Sequence, residues 1–500
     1  MKAGVGKGGF IIIASDHRCA PTGLETCSFR ELDPLQSIEV ENVQIHIAQK
    51  PFPWDESVTT KNFKILLVVL IASFFCYGNA QRIRNLGDLA LAMEIIDQEY
   101  VEKPDKEKLY QAAMKGMIDS LDAYSGYIPI DSLKPFQAML DQEFGGLGVS
   151  IDGRPRRDRL TIVATLFDSP AYRAGVKPGD VILEVDGADY STENVETVSK
   201  KLRGKEGTAV TLTIERTNQP EPLKIKVVRA RIEIESVLGD RRRLNGSWEF
   251  AMEEDPRIAY MRLELFGEKT TEELKAALAS VRKDCKGLII DLRDNTGGLL
   301  MAARDICDMF LDDGDIVSTR GRDDRIDQRY MAKQGTEIPN GVPIVILINE
   351  HSASASEVVA GCMQDRCRAS IVGDRSFGKG SVQNVIPLDA GLAAMRLTTA
   401  YYYPPSGRLI HRRPNATPED TWGITPDEGA QIKLDEAAFM KAIDRFRKRA
   451  DPMENGLGKP RAAVEKSNVS QSLIHADPTL QDDPQLEKAV EILKQKLDPL

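Results

Sequence analysis

With 500 residues the chain is long enough for two or three domains and a sizeable core, because single cores rarely grow beyond roughly 250–300 residues. Its 76 acidic against 66 basic residues leave a formal charge of -10, which argues against nucleic acid or an anionic membrane surface as a partner. Seven cysteines and five scattered histidines, without a Cys-x-x-Cys or His-Glu-x-x-His spacing, give neither a disulfide scaffold nor a metal site.

In chain order, residues 1–57 form a leader with no sustained hydrophobic period. No methionine stands between Met1 and Met93, and one reading is a non-Met start near Val58 with the leader untranslated. Residues 58–80 hold Lys61-Asn62-Phe63-Lys64, an apolar run from Ile65 to Tyr77 and then Gly78-Asn79-Ala80, the order of parts in a secretory signal cleaved after Ala80. The run falls short of the ~20 residues that span a bilayer, so signal peptide is preferred to membrane anchor. Both readings place the protein outside the cytoplasm, in the periplasm or cell envelope, the second holding it there through residues 65–77. Four cysteines, Cys285, Cys307, Cys362 and Cys367, lie beyond this segment.

Residues 81–142 follow a helical period, as in Leu89, Met93, Ile96 and Leu109, Ala113, Met117, Leu121, and predict a small helical region. From 143 to 232 short β-prone runs such as Leu160–Val163, Val181–Val185 and Val210–Ile214 surround one helical stretch, Val195–Leu202. Between 233 and 430 strands and helices alternate, which predicts an α/β core with helices packed on a sheet. Residues 431–500 are expected to hold a mobile polar linker and a closing helix, Gln485–Leu497.

The chemistry concentrates in two segments of the core. Ser354 follows the apolar run Val342–Ile348 and precedes a helix-like segment from Ala355, and that strand, turn, helix order sets it near a helix N-terminus, where unpaired N–H groups favour an anion. Lys379 stands in the glycine-flanked turn Gly378-Lys379-Gly380 between two apolar runs. A serine hydroxyl needs a base, and lysine serves as one only when neutral near pH 7. Burial beside an apolar neighbour such as Phe377 would lower its pKa by the required amount. Gln383 would orient the amine without adding charge, and the Ala355 amide would face the oxyanion.

Blander readings stand beside these. Ser354 to Glu357 fits a capping box, and Gly373 to Lys379 fits the start of a phosphate loop, although Gly380 replaces its Ser or Thr. His351 is too close to Ser354 on one turn for good proton transfer. Ser352 and Ser356 are expected to be structural. Asp291, Arg293 and Asn295 are expected to end a strand and position a glycine turn.

Taken together, Leu121-Asp122-Ala123-Tyr124-Ser125, Gly146-Leu147-Gly148-Val149, Ser169 to Asp180, Asp291 to Gly298, the two catalytic segments and Gly423-Ile424-Thr425-Pro426-Asp427 resemble the carboxyl-terminal processing proteases, also called tail-specific proteases, of peptidase family S41. The resemblance covers roughly residues 84–430. It implies a crotonase- or ClpP-like α/β serine protease core with an inserted PDZ domain and helical N- and C-terminal regions. It also implies a serine endopeptidase with a Ser354/Lys379 dyad, the lysine 25 residues after the serine, supported by Gln383. No cofactor is called for.

By the same resemblance the glycine turn, through Gly297, supplies a second oxyanion donor, and Gly146, Leu147, Gly148 and Val149 capture a peptide carboxylate, so that substrates are selected by their C-termini. Arg203 is the counterpart of an arginine that links peptide occupancy to the active site. Helical flanks often mediate assembly and are compatible with a homodimer; an activating partner is a separate expectation that no residue here indicates. The alternative function is a non-catalytic PDZ-based peptide-binding scaffold.

Overall fold

The computed structural model describes residues 60–498 except 131, 134–142, 153–159, 191–192, 218, 389–392, 418, 452–479 and 481. The leader, most of the expected linker and part of the expected N-terminal helical region therefore lie outside the described residues. The chain divides into two units after Ala92, within a forty-residue helix, α1 (Thr60–Glu99), whose backbone is helical through Ala80. Ile65 to Ile71 and Phe74 on this helix are exposed. No described helix is long and apolar enough to cross a membrane.

Beyond α1, helix α2 (Lys106–Asp119) is capped by Asp105, whose carboxylate accepts from the Glu107 and Lys108 amides. The next element departs from the helical expectation. Gly126–Ile128 is a strand, β1, and pairs antiparallel with a core strand far down the chain. Three residues are too few to show a period, and a remote partner overrides the helical context.

The β-rich module contains β2 (Glu143–Gly146), β3 (Val149–Asp152), β4 (Thr161–Thr165), a one-turn helix α3 (Pro170–Arg173), β5 (Val181–Val185), β6 (Ala188–Asp189), α4 (Val195–Leu202), β7 (Ala209–Glu215), β8 (Leu223–Val228) and β9 (Ala230–Glu233). Its main sheet runs β3-β4-β5-β7-β8 with β6 beside β5, and β2 pairs with β9. Alternate residues of β7 (Val210, Leu212, Ile214) meet Val198 and Leu202 of α4 in a separate core, as period-2 strands and an amphipathic helix require.

The α/β part comprises β10 (Val237–Leu238), the hairpin β11 (Arg241–Arg242) and β12 (Trp248–Glu249), β13 (Ile258–Leu263), α5 (Thr270–Val281), β14 (Gly287–Asp291), α6 (Leu300–Asp308), β15 (Asp315–Arg320), β16 (Ile326–Met331), β17 (Ile344–Ile348), α7 (Ala355–Asp365), β18 (Ala369–Gly373), β19 (Ser381–Leu388), β20 (Ala393–Tyr403), α8 (Glu436–Ala450) and α9 (Pro484–Leu497). Strands β13, β14, β17 and β18 are parallel, with β10 antiparallel at the edge. All five residues of β17 are buried, because helices cover both faces of such a sheet. Residues of α5, α6 and α7 fill one side, while Leu486, Ala489, Val490 and Leu493 of α9 close the other. Each of these buried side chains larger than alanine contributes about 1.5–3 kcal/mol. The second sheet, β1-β20-β15-β16 with β19 on β20, stands beside the first. Loops leaving the C-terminal ends of β14, β17 and β18 carry the Asp291–Gly298, Ser354 and Lys379 segments, so topology alone gathers the three motifs at one end of the parallel sheet.

Candidate active site

Ser354 sits directly before α7 with φ 58° and ψ -115°. A positive φ is unfavourable for a residue with a side chain, by about 1–3 kcal/mol, and persists only where surroundings impose it. Those surroundings are explicit. Its amide donates to Glu357 Oε2 at 2.9 Å, and its carbonyl accepts from the Glu357 and Val358 amides and, at 2.9 Å, from the Tyr402 hydroxyl. The capping-box glutamate is therefore present, and it does more than close a helix.

Buried Glu357 also accepts from the Ser376 hydroxyl (2.5 Å), the Gly378 amide (2.7 Å) and the Lys379 amide (2.8 Å). Burial raises its carboxyl, and the four donors work against that rise. One oxygen, Oε2, thus holds the backbones of both Ser354 and Lys379. The buried Tyr402 hydroxyl makes a second bridge, lying against the carbonyls of the same two residues.

Burial holds the Lys379 ammonium below the ordinary lysine range, and the charge of Arg396 pushes the same way, while Glu357 opposes both. The expected neighbour, Phe377, is 42% exposed and does not enclose it. The covering ring is Tyr124, from the segment before β1, whose centroid lies 5.3 Å from Nζ. His411 packs edge-on to Tyr124 and against Tyr401, extending the aromatic wall. Among the described residues Lys379 Nζ makes no hydrogen bond, so neither the Ser354 nor the Gln383 contact is closed. Gln383 Nε2 donates instead to Ser381 Oγ (2.8 Å) and Thr398 Oγ1 (3.2 Å). Thr398 in turn meets Ser125, whose hydroxyl accepts the Thr398 amide at 3.1 Å and donates to Asp122 at 2.9 Å.

The glycine turn packs against the serine. A Cβ on Gly297 (φ 99°) would lie 2.7 Å from Ser354 Cβ and 2.9 Å from the Ala355 nitrogen, a separation only glycine permits. The Gly297 amide, expected to face an oxyanion, is already donated to Asn295 Oδ1 at 2.8 Å. Of the two turn glycines, Gly298 is the one whose amide has no acceptor among the described residues. At the first position of α7 the Ala355 amide is likewise without one. Asn295 anchors the turn by donating to the Leu263 carbonyl. Burial opposes ionisation of Asp291, but Arg293 and Arg262 overcome it and hold its carboxyl at about 2. Arg293 reaches Asp483, just before α9, at 2.8 Å.

The remaining candidates are also placed. Ser352 Oγ donates to the Leu292 carbonyl and Ser356 Oγ to the Asn295 carbonyl, both structural. His351 is exposed beside Phe439.

In the β-rich module the carbonyls of Leu147 and Gly148 accept the Ala171 and Leu166 amides, while among the described residues their own amides have no acceptor. Gly148 has φ 77°, and a Cβ there would lie 2.3 Å from Ser169 Cβ. Gly146 ends β2 and Val149 begins β3. Arg203 is exposed at the C-cap of α4, and the Gly204 amide after it donates to the Gly145 carbonyl at 3.1 Å.

Local grammar finds Ser354 and Lys379 but not their supports. Glu357 was visible only as a cap. Tyr402, Tyr124, Ser125, Thr398 and Arg396 carry no local signal of a role, although Tyr124 and Ser125 fall within a motif of the resemblance.

Comparison with known proteins places the chain in a family. Residues 257–429 match the profile of peptidase family S41, residues 167–216 a PDZ domain, and residues 77–132 the N-terminal domain of the activating protease CtpB. A carboxy-terminal-processing protease of Bartonella bacilliformis is 37% identical over 86% of this chain and 92% of its own length. The carboxy-terminal processing protease CtpB of Bacillus subtilis is 32% identical over 67% of this chain and 68% of its own length. Among solved structures, a photosystem II D1 C-terminal processing protease aligns with a TM-score of 0.42 at 25% identity, covering 73% of this chain and 97% of its own. With its serine at a strained turn before α7 and a PDZ module ahead of the core, the chain belongs to peptidase family S41, the serine peptidases that act as carboxy-terminal processing proteases.

Proposed function

We propose that Ser354 is the nucleophile and Lys379 its general base in an endopeptidase that selects protein substrates by their C-terminal tails. The observation that carries this reading is the shared grip of Glu357 Oε2 on the Ser354 and Lys379 amides. Neutral Lys379 takes the Ser354 hydroxyl proton as Oγ attacks the scissile carbonyl carbon. The resulting oxyanion is stabilised by the Ala355 amide and a second donor from the glycine turn, for which Gly298 has the free amide. The ammonium then protonates the departing amine, and Lys379 activates a water that hydrolyses the acyl-enzyme.

Tail selection would rest on the Leu147 and Gly148 amides, with the peptide added to β3 beside α4. The test compares the full chain with Ser354→Ala and Lys379→Ala on unstructured proteins bearing apolar or charged tails, with products read by mass spectrometry. Each substitution is expected to lower turnover at least about 10⁴-fold with an unchanged circular dichroism spectrum, and apolar tails to be cut faster. Turnover that survives both substitutions rules the dyad out.

A further inference from the structure

Among the described residues, six arginines bury their Nε without a hydrogen bond: Arg241, Arg242, Arg320, Arg396, Arg445 and Arg447. Five of them have a carboxylate on another nitrogen, from Glu249, Glu235, Asp324, Glu254 and Asp444 respectively. Arg396 has no ion pair or hydrogen bond through its side chain among the described residues. A half-buried cation left unpaired is unfavourable, and such a group calls for an explanation.

Its position supplies one. Arg396 and Thr398 are two residues apart on β20 and so share a face of the sheet, the face on which Gln383 meets Thr398. One neighbour across the ladder is Val385, and the other is Gly126. Gly126 carries no side chain to cover the guanidinium, and a Cβ there would stand 3.7 Å from Nη2. The Arg396 charge is felt at Lys379. Among the described residues, the catalytic face therefore holds a planar cation without a counter-charge, on the strand whose charge bears on the dyad lysine.

We propose that Arg396 is a substrate-binding residue that pairs with a carboxylate of the peptide close to the scissile bond, either an acidic side chain or the terminal carboxylate of a short tail. A guanidinium fits a carboxylate with two parallel hydrogen bonds, which lysine cannot reproduce. This site is distinct from the PDZ loop, which captures the tail through backbone amides. The inference rests on the Ser354/Lys379 reading for the identity of the catalytic face.

The test uses the full chain and one apolar-tailed peptide whose scissile bond has been located. Each position from three before to three after that bond is made Glu or Gln, with the C-terminus free or amidated. For the native enzyme, Glu at one position or a free terminus is expected to raise kcat/KM about tenfold or more. Arg396→Gln should erase that ratio, and Arg396→Lys should retain part of it.

A Glu preference identifies a side-chain carboxylate, and an Arg396-dependent preference for the free terminus identifies the terminal one. Preferences that persist in Arg396→Gln, or an equal loss on every peptide, overturn the proposal, because the residue would then act through Lys379 or the fold. Absence of turnover on all peptides would count against the dyad. In that case fluorescence anisotropy of labelled amidated peptides on Ser354→Ala, with and without Arg396→Gln, still decides the binding role: tighter Glu binding that needs Arg396 supports it, and equal binding overturns it.

Discussion

The two residues of the proposed dyad are held in opposite ways. Ser354 is fixed through its backbone by groups of the core, down to a φ that an unconstrained serine would leave. Lys379 has an equally fixed backbone, but among the described residues its side chain makes no hydrogen bond and lies under a tyrosine from the N-terminal segment. The place of the proposed nucleophile is thus a property of the core alone, whereas the environment of the proposed base is assembled from remote parts of the chain and is the adjustable half.

The largest effect should come from the one group common to both halves. In Glu357→Gln the amide nitrogen would face donors, leaving at least one buried N–H without an acceptor at a cost of about 1–3 kcal/mol. The expected outcome is a kcat lowered about 100-fold with a melting temperature several degrees lower. Because the Glu357 charge favours the Lys379 ammonium, its loss should also shift the acidic limb of the kcat/KM profile to lower pH. A purely structural role would lower the melting temperature without moving that limb.

A smaller effect is expected where only the base's surroundings change. The base must be neutral, so activity rises as pH climbs through the Lys379 pKa. Tyr124→Ala would admit water, let that pKa return toward the ordinary ~10.4, and carry the acidic limb to higher pH. At pH 7.5 activity should fall about tenfold for each unit of displacement. The depressed native pKa also makes the folded chain bind protons less readily than the unfolded one between the two values, so native stability rises with pH across that window. Denaturant titrations at pH 8 and 10 should show this slope weakened in Tyr124→Ala. An unmoved limb would mean that Tyr124 covers the lysine without desolvating it.

This division also explains what could be read in advance. Ser354 and Lys379 announce themselves through short-range grammar, an apolar strand before a turn and glycines flanking a lysine, and the resemblance adds Gln383. The alternation of the core and the β-rich texture of the PDZ module are likewise local patterns. What escaped depends on pairing across long separations. Ser125 meets Thr398 at a separation of 273 positions, β1 takes its conformation from β20, and the ring over Lys379 is Tyr124, while the sequence neighbour Phe377 points to solvent. No window of a dozen residues contains such information. The Gly297 amide is engaged for a related reason, since its acceptor is the Asn295 side chain of the same turn, a bond that no sequence pattern displays.

The mildest test concerns whether the PDZ module reaches the adjustable half. Arg203 stands at the end of α4, where other groups also hold the backbone: Arg229 donates to the Lys201 and Leu202 carbonyls, and the Gly204 amide is tied to Gly145 ahead of the proposed carboxylate loop. Arg203→Ala should therefore leave the peptide groove intact. If Arg203 transmits occupancy, turnover should fall about fivefold, the scale of a modest coupling energy, while the Kd for a tail peptide stays unchanged. Such a split would show that tail binding bears on catalysis through this side chain. Equal losses in turnover and binding would instead make Arg203 a peptide contact, and the base's surroundings would then answer only to the N-terminal segment and β20.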